Sequence, residues 1–346
     1  VTAAPERLTT GTPAPVVEIL AWSRGIVAPA LRAAVDPLPA PLRHIAGYHL
    51  GWWDAGGRPE TASGGKAVRP AFALLGGAAV SDVVTDAVPA AVAVELVHNF
   101  SLLHDDVMDR DVTRRHRPTA WTVFGESPAV LAGDSLLAAA FLAIGGTYAA
   151  GAAGRLAGAV QELLAGQYAD LDFEARSDVD LAAVEAMAEG KTAALFGAAC
   201  GLGALCAGGD GATVDALTAF GRRAGLAFQI VDDLLGIWGD PAVTGKPAHT
   251  DLRSRKKSFP VVAALRSGTP AGADLAALHD RCAPLGEPEL VEAAELVEAA
   301  GGRRWCEEYA DRLLADARSA LAAAGVAAEA GDRLWTLARF LGGRDH

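Results

Sequence analysis

The apolar positions of this chain fall into helical stretches separated by short polar breaks. Helical text begins near Val16, in VVEILAWSRGIVAPALRAAV. Proline and glycine then predict loops across residues 36–42 (DPLPAPL) and 54–70 (DAGGRPETASGGKAVRP). From residue 71 to about 236 long helices are expected, broken at FGESP (124–128), EARSDVD (174–180) and AGGDGA (207–212). A mixed-charge loop is expected over 238–260, and the last third is again helical, interrupted at GTPAGAD and APLGEPE. Strand-like runs of Val, Ile, Thr and aromatics are scarce. The expected fold class is all-α. No repeat of fixed period and no composition shift marks a boundary, so one helical domain over 15–346 is expected. Residues 1–14, rich in Pro, Thr and Ala, read as a disordered tail.

Composition sharpens this picture. Hydrophobic residues make up 51% of the 346, and many are alanine, the strongest helix former. Two uncharged stretches, 135–154 and 192–209, approach the length of a membrane span. They are rich in Ala and Gly, and they abut the polar residues Asp134 and Lys191. They therefore read as interior helices, and no membrane span is expected. The N-terminal text has no basic segment followed by an apolar run, so no secretion signal is read there. The formal net charge of −12 argues against non-specific nucleic-acid binding. Cys200, Cys206, Cys282 and Cys306 lack metal-site spacing. They read as free thiols in a reducing, cytoplasmic setting.

The unusual text is SLLHDDVMDRDVTRRHRP, residues 101–118. It places four aspartates within seven positions, directly after an apolar run. On a helix Asp105 and Asp109 share a face, with Asp106 about 100° aside. Two carboxylates on one face stay ionised together only with a cation between them, and Mg²⁺ matches such oxygens. A second acidic cluster, FQIVDDLLGIWGD, holds Asp232, Asp233 and Asp240. Two such clusters, each ending an apolar helix, are expected to face one cavity.

With its flanks, this pattern resembles the trans-isoprenyl diphosphate synthases, or polyprenyl synthetases. The resemblance runs from about residue 64 to 260. It rests on GGKAVRP, ELVHNFSLLHDDVMDRDVTRRHRPT, LAGD, GQYADL, GKTAALF, FQIVDDLLG and GKPAHTDLRSRKKSFP, in that order. It implies an antiparallel helical bundle around a deep central cavity and a homodimer. The implied reaction joins an allylic diphosphate to isopentenyl diphosphate in a trans, head-to-tail condensation.

The resemblance also implies residue roles. Asp105, Asp106 and Asp109 match the first metal motif, and Asp232 and Asp233 the second. Asp105, Asp109 and Asp232 would be the direct ligands of about three Mg²⁺ ions, with Mn²⁺ as an alternative. Arg114, Lys191, Lys246 and Lys256 match the cradle of the allylic diphosphate. Lys66, Arg69, His98 and Arg115 match a metal-free pocket for isopentenyl diphosphate. Thr192 and Gln229 match polar groups near the reacting carbons. Ionising the allylic diphosphate needs its leaving group neutralised and its cation kept dry.

Four positions depart from the family pattern. Ala67 stands where an arginine is common, His116 replaces a glycine, Ser258 a threonine, and Gly236 the third aspartate of the second motif. Asp240 lies two turns beyond that face. Phe100 sits five residues before Asp105 and Val97 eight before, and both would set product length. An aromatic at the fifth position resembles short-chain synthases, so geranylgeranyl diphosphate is the expected product, with farnesyl diphosphate next. Two other readings keep the fold: a terpene cyclase, whose usual Ser and Glu the second motif lacks, and a non-catalytic subunit. The wording of the second motif is similar to actinobacterial polyprenyl transferases associated with protein shells. The tail 1–14 is thus a candidate dock for an encapsulin-like shell.

Overall fold

The structure, a computed structural model, describes residues 15–60, 65, 67–145, 151–240, 248–279 and 284–343. The described chain is almost entirely helical, as the pattern of the sequence requires. The chain divides into two compact units. The first runs through Val160 and adds Leu195–Gly221 and Ala320–Leu337. The second comprises Gln161–Ala194, Arg222–Ser319 and the chain from Ala338.

In the first unit α1 (Val16–Val35) and α2 (Ala40–His49) lead to α3 (Val68–Ala78). A 3₁₀ turn, Val84–Ala87, opens onto α4 (Val88–Met108), which packs along α6 (Glu126–Gly145) and against α3. Between α4 and α6 lie a two-stranded hairpin, β1 (Thr113–Arg114) with β2 (Arg117–Pro118), and the short α5 (Ala120–Phe124). Among the described residues this hairpin is the one sheet, beside an isolated antiparallel bridge between Trp53 and Pro59, and composition gave no hint of it. The chain continues through α7 (Ala152–Glu174), α8 (Leu181–Ala188), a π-helical turn (Glu189–Ala193), α9 (Ala194–Cys206) and α10 (Gly211–Trp238). Within the expected 238–260 loop a single turn of helix, α11 (Thr250–Arg253), forms. Then come α12 (Phe259–Leu265), α13 (Pro270–His279), α14 (Glu287–Ala299), α15 (Gly302–Ala323) and α16 (Ala328–Gly342).

The abundance of Ala and Gly has a packing cause. A Cβ added to Gly203 would meet the carbonyl of Ala73 at 1.9 Å, and one on Gly76 would meet that of Cys200 at 2.5 Å. The backbones of α3 and α9 therefore touch, and only glycine allows it. Around that contact Phe72 packs edge-on against Phe196 at 5.3 Å and beside Phe220 at 6.0 Å. All three are fully buried, each worth about 1.5–3 kcal/mol of transfer from water. In the second unit Phe259, Trp305 and Tyr309 form a comparable aromatic group.

The described parts of the two uncharged stretches are largely helical, and most of α9 is buried, as expected of an interior helix. Residues 192–206 run through the π turn and α9, which continue α8 without a break, and a turn at 207–208 ends them. The stretch 135–154 includes residues outside those described. Among the described residues the helices long and apolar enough by composition are Val84–Met108, 67% buried, and Glu126–Gly145, 39% buried. Cys200 and Cys306 are buried free thiols and Cys206 is half-buried, while Cys282 lies outside the described residues.

Candidate active site

Helix α4 ends in the first aspartate motif. Its last turn carries no basic residue, and Asp109 is the C-cap, donating its N–H to the Asp105 carbonyl at 2.8 Å. Three carboxylates at the negative end of a helix oppose its dipole, so the arrangement calls for external positive charge. Asp106 is buried, and burial pushes its carboxyl up to about 6 against the pull of Arg114. Arg114 Nε donates to Asp106 Oδ1 at 2.6 Å, while Oδ2 has no protein partner.

The arginine pair is not on that helix. Arg114 ends β1, and Arg115 and His116 form the two-residue hairpin tip, with φ of 52° and 62°. Both central residues left-handed is the type I′ geometry, which fits strand twist and favours glycine. This accounts for the glycine expected at His116: the position is left-handed whichever residue fills it.

Strain of this kind clusters. Among the described residues, the non-glycines with positive φ are Ala67, Arg110, Arg115, His116, His249 and Arg255. All six lie in the segments that carry the family motifs. Left-handed non-glycine backbone costs about 1–2 kcal/mol per residue and collects where function fixes the chain. Apart from His116, where the family pattern expects glycine, no sequence signal marks these positions, because none of them is glycine.

The residues expected to bind the second substrate converge in the first unit. Arg69 Nη1 lies 3.3 Å from His98 Nε2. Burial first, then Arg69 and Arg115, hold His98 well below the usual histidine range, so it is neutral and accepts from Arg69. The Arg115 guanidinium packs onto Gly65, where a Cβ would lie 2.8 Å from Nη2. Arg115 Nη1 has no protein partner. Lys66 lies outside the described residues. Beneath this group the buried Glu95 is raised by burial against the pull of Arg69, and it accepts from Asn99 at 3.1 Å.

The second unit gathers the remaining candidates. The π turn carries Lys191 and Thr192, and its Gly190 meets Gly166 of α7 so closely that a Cβ on either would strike backbone. Lys191 pairs with Asp170. Thr192 donates to Gln229 Oε1 at 2.6 Å, and Gln229 Nε2 donates to Asp233 Oδ1 at 2.9 Å. Lys256 reaches the same oxygen at 3.2 Å, and the Phe259 N–H donates to Oδ2 at 3.1 Å. Burial lowers the Lys256 ammonium, but Asp233, Asp251, Asp170 and Asp232 outweigh it and raise it. Asp232 is exposed. Lys246 lies outside the described residues.

Gly236, where the third aspartate is missing, is covered from α11. A Cβ there would come within 2.5 Å of Cγ and Oδ2 of Asp251. The space an aspartate side chain would take already holds a carboxylate, from a residue the sequence reading passed over. The spacing of Asp251 from the second motif carried no signal.

A divalent ion fits this donor set only in part. Among the described residues no three acidic, His or Cys side chains converge tightly enough to hold an ion alone. Mg²⁺ does not require that, since it keeps water and takes phosphate oxygens beside one or two carboxylates.

Carboxylates at the end of α4 and the arginines gathered beside them give a helical protein the charge to hold anionic ligands. A family model described as polyprenyl synthetase matches residues 58–287. The chain is 45% identical over 329 residues to the (2E,6E)-farnesyl diphosphate synthase of Mycobacterium tuberculosis, covering 93% of this chain and 92% of that protein. It is 46% identical over 307 residues to the geranylgeranyl diphosphate synthase of the same organism, covering 88% of each. The crystal structure of a polyprenyl synthetase from Streptomyces coelicolor superposes with a TM-score of 0.91 at 46% identity, over 94% of this chain and 99% of that one. The chain belongs to the polyprenyl synthetase family, and it is a prenyltransferase.

Proposed function

We propose that the protein condenses an allylic diphosphate with isopentenyl diphosphate, making geranylgeranyl diphosphate, with farnesyl diphosphate as the next candidate. The observation that carries this is the cluster of basic side chains. Gly65, Arg69, His98 and Arg115 come together beside the Arg114–Asp106 pair. A cyclase acting on one finished diphosphate has no use for that cluster.

Asp105, Asp109 and Asp232 are the metal carboxylates of this proposal. Mg²⁺, when bound, neutralises the charge that develops on the departing diphosphate. Arg114, Lys191, Lys246 and Lys256 take the same diphosphate by direct contact. Arg69, His98, Arg115 and Lys66 orient isopentenyl diphosphate, whose alkene attacks the allylic cation. Thr192 and Gln229 are fixed polar groups near the reacting carbons. The proton lost after attack goes to the released diphosphate, so no protein base is assigned. The proposal includes a homodimer, as in the family.

The test is incubation with isopentenyl diphosphate, Mg²⁺ and dimethylallyl, geranyl or farnesyl diphosphate, with product length read by chromatography. Geranylgeranyl diphosphate as the end product supports the reading. Hydrocarbon formed from an allylic diphosphate alone, or no product from any primer, overturns it.

A further inference from the structure

The hairpin that carries Arg114 and Arg115 has only two residues in each strand. A hairpin of that size does not hold its own shape in water. Arg117, the direct cross-strand partner of Arg114, ties it to a neighbouring segment. Arg117 Nη1 donates to the Tyr48 carbonyl at 2.9 Å, and Nη2 donates to the Trp53 carbonyl at 3.0 Å. Nη2 also pairs with Glu60 at 2.9 Å, and the guanidinium lies 4.4 Å over the Tyr48 ring. Tyr48 returns the grip, donating its hydroxyl to the Pro118 carbonyl at 2.8 Å.

The platform is itself fixed. The Trp53 ring lies on Gly47, where a Cβ would be 2.0 Å from it, and its Nε1 donates to the His44 carbonyl at 2.8 Å. Arg32 covers the rings of Trp52 and Trp53 at 4.5 and 4.8 Å. The three hairpin arginines are thus used differently. Arg114 is held by Asp106, Arg115 keeps Nη1 without a protein partner, and Arg117 spends its donors on main chain and Glu60.

We propose that Arg117 is a positioning residue. It clamps the hairpin to the 48–60 segment, so that Arg114 and Arg115 meet the two diphosphates with their guanidinium groups already placed. The proposal rests on the prenyl-transfer reading for the identity of those ligands. Only a planar fork reaches two carbonyls and a carboxylate at once, so lysine cannot replace it.

The test compares wild type, Arg117→Ala and Arg117→Lys. Isopentenyl diphosphate binding is measured by calorimetry without metal, KM for both substrates by steady-state assay, and folding by circular dichroism. Both variants should weaken isopentenyl diphosphate binding by about tenfold or more and raise both KM values more than they lower kcat. Tyr48→Phe, which removes one hydroxyl, should act in the same direction by about twofold to threefold if Arg117→Ala does not fold. Unchanged binding in Arg117→Ala, or in Tyr48→Phe where that variant stands in, overturns the proposal. Wild-type binding in Arg117→Lys also overturns it, because charge alone would then suffice. A wild type that binds isopentenyl diphosphate but forms no product overturns the prenyl-transfer reading, and the binding comparison still decides the role of Arg117.

Discussion

Arg114 and Asp106 are joined by a 2.6 Å charge-assisted hydrogen bond, so the second carboxylate of the first motif holds an arginine. Buried carboxylates are costly, and burial pushes this one up to about 6. Asp106→Asn keeps the shape, removes the charge and relaxes the hold on Arg114. It should lower kcat/KM by about a hundredfold while changing stability by no more than about 1 kcal/mol. Steady-state assay and calorimetric melting check both halves. A large fall in melting temperature with little change in kcat/KM would assign Asp106 to the fold instead.

The adjacent carboxylates of the second motif should separate in the opposite way. Asp233 is buried and accepts from Gln229, Lys256 and the Phe259 amide, whereas Asp232 is exposed. Asp233→Asn keeps one acceptor but turns the other oxygen into a donor facing a donor, and it leaves Lys256 less well paired. It should cost about 2–4 kcal/mol in urea denaturation. Asp232→Asn should leave the denaturation midpoint in place and cut kcat by about a hundredfold or more. Equal effects of the two substitutions on the midpoint would remove the distinction.

Much of this was legible beforehand, and the residues show why. The breaks at 124–128, 174–180 and 207–212 coincide with ends of α5, α7 and α9, because Gly, Pro and Asp punctuate helices locally. Arg69 meets His98, two residues that the resemblance assigns to one pocket, while the link from Thr192 through Gln229 to Asp233 was not legible in the sequence. Helical periodicity could not show that Arg114 and Arg115 leave the helix for a hairpin. The type I′ turn is set by tertiary anchoring through Arg117, and its usual glycine is absent. Nor could it show Asp251 over Gly236, a contact between residues fifteen apart that depends on how the loop returns.

His116 now has a physical account that can be measured. Its φ of 62° favours glycine, and its side chain is exposed. His116→Gly removes the left-handed cost but adds chain entropy to the unfolded state, so the net gain should be about 0.5–1 kcal/mol. His116→Val, β-branched at positive φ, should instead cost about 1–2 kcal/mol. Urea denaturation of both variants reads the difference. A valine variant as stable as wild type would mean that the turn changes type.

Phe100 is where the product-length assignment meets packing. Its side chain is buried at 3% exposure in α4, its ring 4.7 Å from that of His104, and Val97 one turn earlier is fully buried. His104 is pressed in turn against Gly133 of α6, where a Cβ would lie 2.5 Å from the imidazole. The ring therefore cannot swing aside for a growing chain without moving α6. If it is the floor that stops elongation, Phe100→Ala opens room for at least one more five-carbon unit, and products should lengthen beyond geranylgeranyl diphosphate. The same change removes a buried ring and should cost about 3–5 kcal/mol of stability, so the assay belongs well below the melting temperature. A folded Phe100→Ala variant with an unchanged product distribution would place the floor elsewhere, and a matched Val97→Ala variant would then test the next turn of α4.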